Sequence, residues 1–375
     1  MYPLTQLSSF ALMSFRRGLA GLTDEEARVR LRKADGSQMN AIAWITGHVC
    51  WQWTLRATRA GFARGLTANE AERLNEMQAL VHPFRNGATD ATPPSLVHAM
   101  ELFARVEGDS KWVAHADDAL LATMVDTTPP PNAGKAMVEL HQWLVDRTIP
   151  GENLGTAFMR NILHAWFHIG EINLVRQMLG HAEIPFVGKM IGNLEWQPGS
   201  EGCYRPHDLA RFALFSSDRG LEGLGEQDAT TRLTKADGSE TNSISWTVAH
   251  LGRHWLSART DALGESVSAS LQRFATGSTD PTPPSLLDAR GVLDAAQQSI
   301  DWIEGASDGF LSNGPPSARN GERPGTRLMR AVLHTWFHIG EINGIRQMLG
   351  HAEIGFVGKM AGNLEWHPER ETAHV

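Results

Sequence analysis

The sequence predicts an all-α protein made of two tandem four-helix bundles in a pseudo-twofold arrangement. A long internal repeat divides the chain into halves, and helix-start and helix-stop signals recur at matching places in both. Strand signals are weak, since there are only two tyrosines and little alternation of polar and apolar residues. A length of 375 residues also exceeds the usual size of one domain.

The longest repeat covers 39 residues in each half of the chain. Residues 158–196 and 328–366 are identical at 31 of the 39 positions. This period is far too long for a solenoid, so the repeat indicates a duplicated domain. Shorter blocks recur upstream in the same order, namely Lys-Ala-Asp-Gly-Ser at 33–37 and 235–239 and Thr-Pro-Pro-Ser-Leu at 92–96 and 282–286.

The two copies differ in the spacing between these repeated blocks. The first copy carries extra residues between positions 55 and 87 and again between 98 and 154. Length changes of this kind are best tolerated in loops. We predict the first copy at residues 1–196, a linker at 197–205 and the second copy at 206–375.

Each copy is predicted to contain four main helices. Thr23 and Glu26 form a capping-box pattern at a helix start. Pro94 stands where the first turn of a helix accepts proline, and Gly180 is a C-terminal stop. The predicted helices lie near residues 5–18, 40–58, 95–123 and 155–179, and near 206–218, 242–260, 285–304 and 325–349.

Several histidines fall on apolar helix faces. At about 100° per residue, His164, His168 and Glu171 share one face of the last helix of the first copy. His48 shares a face of the second helix with Trp44, so this face is expected to point toward the core. The second copy repeats the pattern with His250, His334, His338 and Glu341.

This arrangement favours two metal sites. Histidines at positions i and i+4 place both imidazoles on one side of a helix, and a third imidazole from a facing helix would leave coordination positions open. Such positions allow an ion to polarise a substrate or to lower the pKa of bound water or thiol. Glu171 and Glu341 could each be a fourth ligand, an anchor behind a ligand or a base. A single histidine pair is also compatible with hydrogen-bonded core residues.

Composition excludes several classes of partner. The formal net charge is −8, with no basic stripe of the kind that binds nucleic acid. No run of about 18 apolar residues is present, so no helix is expected to span a bilayer. The two cysteines, Cys50 and Cys203, cannot form a disulfide framework and favour a reducing compartment. We predict a cytoplasmic protein that acts on a small molecule.

The motifs together resemble the DinB/YfiT-like superfamily. They are Trp-x-x-x-His in the second helix and, far downstream, His-x-x-x-His-x-Gly-Glu-Ile. The resemblance covers most of the chain, once per half. It implies four-helix bundles that each hold a divalent metal through one histidine of the second helix and two of the fourth. The implied ligands are His48, His164 and His168, then His250, His334 and His338.

The resemblance also implies a range of activities. Members include transferases that use mycothiol or bacillithiol, a mycothiol-dependent isomerase, proteins assigned as hydrolases, and the iron-binding part of sulfoxide synthases. Members often dimerise, so we expect the two copies to pack on each other as a pseudo-dimer. His254 departs from the repeat, because the first copy has Gln52 at that position.

The leading hypothesis is a transferase that binds up to two divalent ions, with zinc, nickel and iron all acceptable to imidazole ligands. It would activate a low-molecular-weight thiol, or water, for attack on a small electrophile. Glu171 and Glu341 would assist proton transfer as catalytic residues. The alternatives are a metal-dependent hydrolase and a stress protein that binds metal or a small ligand without turnover.

Overall fold

The fold is all-α, as predicted. Among the residues that the structure describes there are helices, turns and two isolated β-bridges, but no strand. The computed structural model describes residues 4–88, 92–124, 134–147, 149–184, 190, 194, 204–278, 282–317, 321–355, 360 and 364. Of the predicted linker, only Tyr204 and Arg205 fall inside these ranges.

All eight predicted main helices are present, together with shorter ones. None of the described helices is long and apolar enough to cross a membrane. The first half contains α1 (Leu4–Leu19), α2 (Asp24–Arg28), α3 (Ile42–Arg64), α4 (Ala68–Val81), α5 (Leu96–Asp109), α6 (Asp118–Leu121), α7 (Lys135–Val145) and α8 (Leu154–Met178). The second half contains α9 (Pro206–Asp218), α10 (Glu226–Thr230), α11 (Ile244–Leu263), α12 (Leu286–Gln298), α13 (Asp301–Glu304), α14 (Asp308–Asn313) and α15 (Pro324–Met348). Four 3₁₀ turns lie at His82–Phe84, Ser110–His115, Arg219–Leu221 and Ala269–Phe274.

The helix boundaries differ from the prediction chiefly in the third helix of each half. In the first half α5 ends at Asp109 instead of continuing to residue 123. The Ser110 hydroxyl donates to the Val106 carbonyl over 2.8 Å, which competes with the helical hydrogen bond at that turn. The insertions of the first copy are not plain loops, because they contain α4 and α7. Thr67 and Glu70 form a capping box that starts α4.

The last helix of each half packs on the first two main helices of that half. In the first half α8 contacts α1 and α3, while α3 also contacts α5. In the second half α15 contacts α9 and α11, while α11 also contacts α12. The most extensive helix pair joins the halves, because α8 packs along α15. One apolar core therefore extends through both halves.

Glycines make the contact between α8 and α15 unusually close. A Cβ atom on Gly170 would lie 1.8 Å from the Phe337 carbonyl oxygen, and one on Gly340 would lie 1.8 Å from the Phe167 carbonyl oxygen. The two helix backbones thus touch directly at these glycines, which only a residue without a side chain permits. In each helix the crossing glycine follows the two histidines and precedes the glutamate and asparagine of the same segment.

The repeated Lys-Ala-Asp-Gly-Ser segment connects the two halves. The Ala34 amide donates to the Met348 carbonyl over 3.0 Å, and the Ala236 amide donates to the Met178 carbonyl over the same distance. Each segment therefore satisfies a backbone carbonyl at the C-terminal end of the last helix of the other half. Asp35 stabilises the turn by accepting from the Ser37 amide at 2.9 Å.

Candidate metal centres

The three histidines predicted in the first half come together. His48 projects from α3, and His164 and His168 project from α8. One ring nitrogen of each lies within 4.8 Å of the other two, and the side chains are only 6%, 7% and 6% exposed. This buried cluster could hold a metal ion.

The spacing of the ring nitrogens suits coordination of one ion. The Nε2 atoms of His164 and His168 are 3.0 Å apart. Two nitrogens bound at about 2.0–2.1 Å to one ion, with bond angles between octahedral and tetrahedral, are separated by about 3 Å. The His48 ring stands at steep angles to the other two, 76° to His164 and 79° to His168.

Hydrogen bonds fix the protonation of two of these rings. His48 Nδ1 lies 2.7 Å from the Phe84 carbonyl oxygen, and His168 Nδ1 lies 2.5 Å from Glu171 Oε2. The Phe84 carbonyl can only accept, so Nδ1 of His48 carries the proton, and an ionised Glu171 sets the same tautomer in His168; in both rings the Nε2 lone pair then faces the cluster. Trp44 stacks on the His48 ring at 5.4 Å between centroids and steadies it further.

Burial keeps the histidines neutral, which is the form that binds metal. Loss of hydration lowers the pKa of His48 to about 3 and that of His168 to about 4. The pKa of His164 is lowered well below its usual value by burial, then by the adjacent His168 and His48 rings, and then by the guanidinium groups of Arg160 and Arg56. Protons therefore compete weakly for these nitrogens near neutral pH.

The second half repeats this geometry. Ring nitrogens of His250, His334 and His338 lie within 4.8 Å of one another, and all three side chains are buried. The Nε2 atoms of His334 and His338 are 2.9 Å apart, and His250 Nδ1 lies 2.7 Å from the Phe274 carbonyl oxygen. Trp246 stacks on His250 at 5.1 Å. The structure therefore brings all six predicted ligands into two matching clusters.

Glu171 and Glu341 lie behind the clusters. The contact from Glu171 is to Nδ1 of His168, on the side of the ring opposite Nε2, and Glu341 contacts Nδ1 of His338 in the same way. Of the three roles that the sequence left open, this geometry is that of an anchor behind a ligand. Without a metal ion, burial raises the pKa of each carboxyl to about 8; a cation at Nε2 of the anchored histidine would favour the carboxylate form, which accepts from Nδ1. Participation in proton transfer stays a prediction.

Each anchoring glutamate also accepts hydrogen bonds from the opposite half. Asn343 Nδ2 donates to Glu171 Oε1 over 2.6 Å, and Asn173 Nδ2 donates to Glu341 Oε1 over 2.5 Å. Sequence reasoning missed these asparagines. The signal available was the asparagine that ends the repeated His-Ile-Gly-Glu-Ile-Asn segment, but nothing in it indicated a partner from the other copy.

Positive charge surrounds the first cluster beyond His164. Arg56, Arg59 and Arg160 are buried there, and the one carboxylate among them in the described part of the chain is Glu152, which pairs with Arg160. Burial and the mutual repulsion of the guanidinium groups lower the pKa of Arg56 to about 9. Arg56 and Arg160 are close enough to His164 to disfavour its protonation.

The second cluster has a different charge environment. Ala258 occupies the position of Arg56, and Asp261 occupies the position of Arg59 and pairs with Arg327 at 2.5 Å. Positive and negative charges are therefore closer to balance around the second cluster.

His254 adds a fourth imidazole beside the second cluster. Its ring lies 4.4 Å from that of His334 between centroids. Its pKa is lowered well below the usual value by burial and then by His250. In the first half, Gln52 stands in this position and donates to Asn86 over 3.2 Å.

We expect His254→Gln to reduce the acid sensitivity of the metal-free protein. A base whose folded-state pKa is lowered takes up its proton mainly in the unfolded state, so stability is lost as the pH falls below about 6.5. At about pH 5.5 the loss for one such group is about 1 kcal/mol, and the variant should not show it. Urea unfolding at both neutral and acidic pH measures this difference. Gln52→His is the reciprocal control and should steepen the loss of stability at acidic pH. Equal pH dependence in all three proteins would contradict a lowered pKa at His254 in the folded state.

No protein-family model, curated protein or solved structure matches this chain. The structure itself therefore defines the class: an all-helical protein with two buried three-histidine clusters that could each hold a metal ion.

Proposed function

We propose that the chain is a tandem pair of DinB-like four-helix bundles that pack as a pseudo-dimer, with one divalent metal ion in each bundle. The matching packing of α1, α3 and α8 in one half and of α9, α11 and α15 in the other supports this arrangement. The reciprocal contacts of the Lys-Ala-Asp-Gly-Ser segments support a twofold relation.

We further propose that the protein is a metal-dependent transferase for a low-molecular-weight thiol. The observation that carries this proposal is the convergence of three neutral imidazoles in each half, with no described carboxylate in either ligand cluster. Three protein ligands leave positions open, and a metal ion bound there lowers the pKa of a thiol or water molecule.

The protein's own residues would orient the ligands and stabilise charge. Glu171 fixes the tautomer of His168, and Trp44 packs against His48. The guanidinium groups near His164 lower the free energy of an anion, such as a thiolate, beside the first cluster. In the transfer, the thiol would give its proton to solvent water, its sulfur would bond to the electrophilic carbon, and the leaving group would depart with the electron pair of the broken bond.

Metal content is the first test. We expect about two equivalents of metal per chain, about one in His168→Ala, and none in the double variant with His338→Ala, because each change removes a ligand from one cluster. Elemental analysis after gentle purification measures the content. His181→Ala is the matched control, since His181 pairs with Glu26 outside both clusters. A protein purified without metal, and unable to take up added zinc, would refute the metal assignment.

Turnover by the metal-loaded protein separates the functional alternatives. Incubation with a panel of low-molecular-weight thiols and electrophiles should give thioether products that disappear in the double variant. Metal-dependent cleavage of the electrophile without incorporation of the thiol would instead identify a hydrolase. Metal binding without either product would favour the non-catalytic protein that binds metal or a small ligand.

A further inference from the structure

We propose that each metal site is completed by the opposite half of the chain, with Asn343 and Gln347 acting as positioning residues for the first site and Asn173 and Gln177 for the second. The inference rests on metal binding by the histidine clusters, but on no particular reaction. Its consequence is that the two sites cannot be separated into independent domains without loss of metal affinity.

At the first site a chain of contacts runs from the second half, through Glu171, to His168. Asn343 Nδ2 donates to Glu171 Oε1 over 2.6 Å, and Gln347 Nε2 approaches the same oxygen at 3.5 Å. The other carboxylate oxygen, Oε2, accepts from His168 Nδ1. A carboxylate held at both oxygens has one orientation, so the amides of the second half determine how the His168 ring is turned.

The second site shows the same contacts with the halves exchanged. Asn173 Nδ2 donates to Glu341 Oε1 over 2.5 Å, and Gln177 Nε2 donates to it over 3.3 Å. Glu341 in turn contacts His338 Nδ1. The same arrangement therefore occurs at both sites, as the reciprocal packing of the two halves requires.

The asparagines are themselves rigid. Both are fully buried, and each uses its Oδ1 atom to accept a backbone amide of its own half. Asn343 Oδ1 accepts from the Ile354 amide over 2.6 Å, and Asn173 Oδ1 accepts from the Ile184 amide over the same distance. An amide fixed at its oxygen presents its Nδ2 donor in one direction, which is what a positioning residue needs.

The close helix crossing brings these groups within reach. Gly170 directly precedes Glu171, and Gly340 lies three residues before Asn343. Because α8 and α15 touch backbone to backbone at these glycines, the carboxylate of one helix reaches the amide of the other. Each His-Ile-Gly-Glu-Ile-Asn segment thus supplies a ligand and its anchor to one site and a donor to the other.

A pair of single-site backgrounds tests the proposal. His250→Ala with His334→Ala removes the second site but leaves the contact between His338 and Glu341 in place. In this background Asn343→Leu should weaken binding of Zn²⁺ about 10-fold, the lower end of the effect of removing a direct partner of a metal ligand, because Asn343 acts through Glu171. Asn173→Leu is the matched control and should change the affinity less than twofold. Competition with a chromophoric chelator measures the affinity.

The reciprocal background uses His48→Ala with His164→Ala, which retains only the second site. Here the effects should exchange, so that Asn173→Leu weakens binding and Asn343→Leu does not. Each leucine variant removes an equivalent pair of hydrogen bonds, one across the interface and one to a backbone amide of its own half, so a merely structural role would weaken the two sites alike. The absorption spectrum of bound Co²⁺ gives a second readout, and it should change only in the variant that faces the remaining site.

Several outcomes would overturn the proposal. Equal weakening by both variants, or no weakening by either, would show that the asparagines do not act across the interface. If the leucine variants fail to fold, the milder pair Gln347→Ala and Gln177→Ala must show the same exchange, and its absence would refute the proposal. A parent background that binds no Zn²⁺ would refute metal binding itself, which distinguishes failure of the proposed function from failure of this inference.

Discussion

Gly170→Ala should lower the free energy of unfolding by about 3 kcal/mol or more, because overpacking against a rigid neighbour is strongly destabilising. The added Cβ would lie 1.8 Å from the Phe337 carbonyl oxygen and 2.9 Å from the Glu341 amide nitrogen. Both are backbone atoms of α15, so relief requires that the two helices move apart. Urea unfolding of the full chain measures the loss.

The sign of this effect is opposite to that of an ordinary substitution. Replacing glycine by alanine inside a helix usually stabilises it by up to about 1 kcal/mol. Gly291→Ala provides the control, since Gly291 lies within α12, is exposed, and a Cβ there would meet nothing within 4 Å. Stabilisation by Gly291→Ala together with destabilisation by Gly170→Ala would locate the cause in the crossing. Similar effects on stability at both positions would exclude the helix crossing as the cause.

Glu152→Gln should have the second large effect, about 3–5 kcal/mol of lost stability, the range found when a buried ion pair loses one partner. Glu152 is the one carboxylate described among Arg56, Arg59 and Arg160, and its side chain is 1% exposed. It pairs with Arg160 and also accepts from the Met360 amide over 3.1 Å. Glutamine keeps the shape but removes the one counter-charge described among these three buried guanidinium groups.

The second half supplies a matched comparison. Glu322→Gln removes the partner of Arg330, but Asp261 stays beside Arg327, so we expect a smaller loss than for Glu152→Gln. Adding Arg56→Ala, the residue of the second copy, should recover part of the loss caused by Glu152→Gln. A double-mutant cycle measures this coupling. Strictly additive effects on the free energy of unfolding would mean that Arg56 and Glu152 do not interact electrostatically.

Much of the helical structure could be predicted because its signals are local. The capping box of Thr23 and Glu26 is present as expected, since both residues lie within one turn. The early end of α5 was missed, because the bond from Ser110 to Val106 is one of several that a serine can form. The helix α4 was missed although its capping box is equally local.

The grouping of the ligands was predictable in part. Helical periodicity fixes which residues share a face, so His164 and His168 had to lie side by side on α8. That His48 approaches from α3 was inferred from the resemblance and from the apolar helix face that His48 shares with Trp44. The structure places His48 in the same cluster as His164 and His168. The anchor for its Nδ1 atom, the Phe84 carbonyl, comes from a 3₁₀ turn that no sequence signal connected with the site.

The sequence by itself therefore determined the duplication, the all-α class and the helix faces that carry the six histidines, because repeats and periodicity are properties of neighbouring positions. Only the tertiary structure decided that α8 and α15 cross at Gly170 and Gly340 and that Asn343 reaches Glu171. The contact between Asn343 and Glu171 joins residues 172 positions apart. Its geometry depends on how two helices approach each other, which is set by the packing of the whole core and not by the local pattern of either helix.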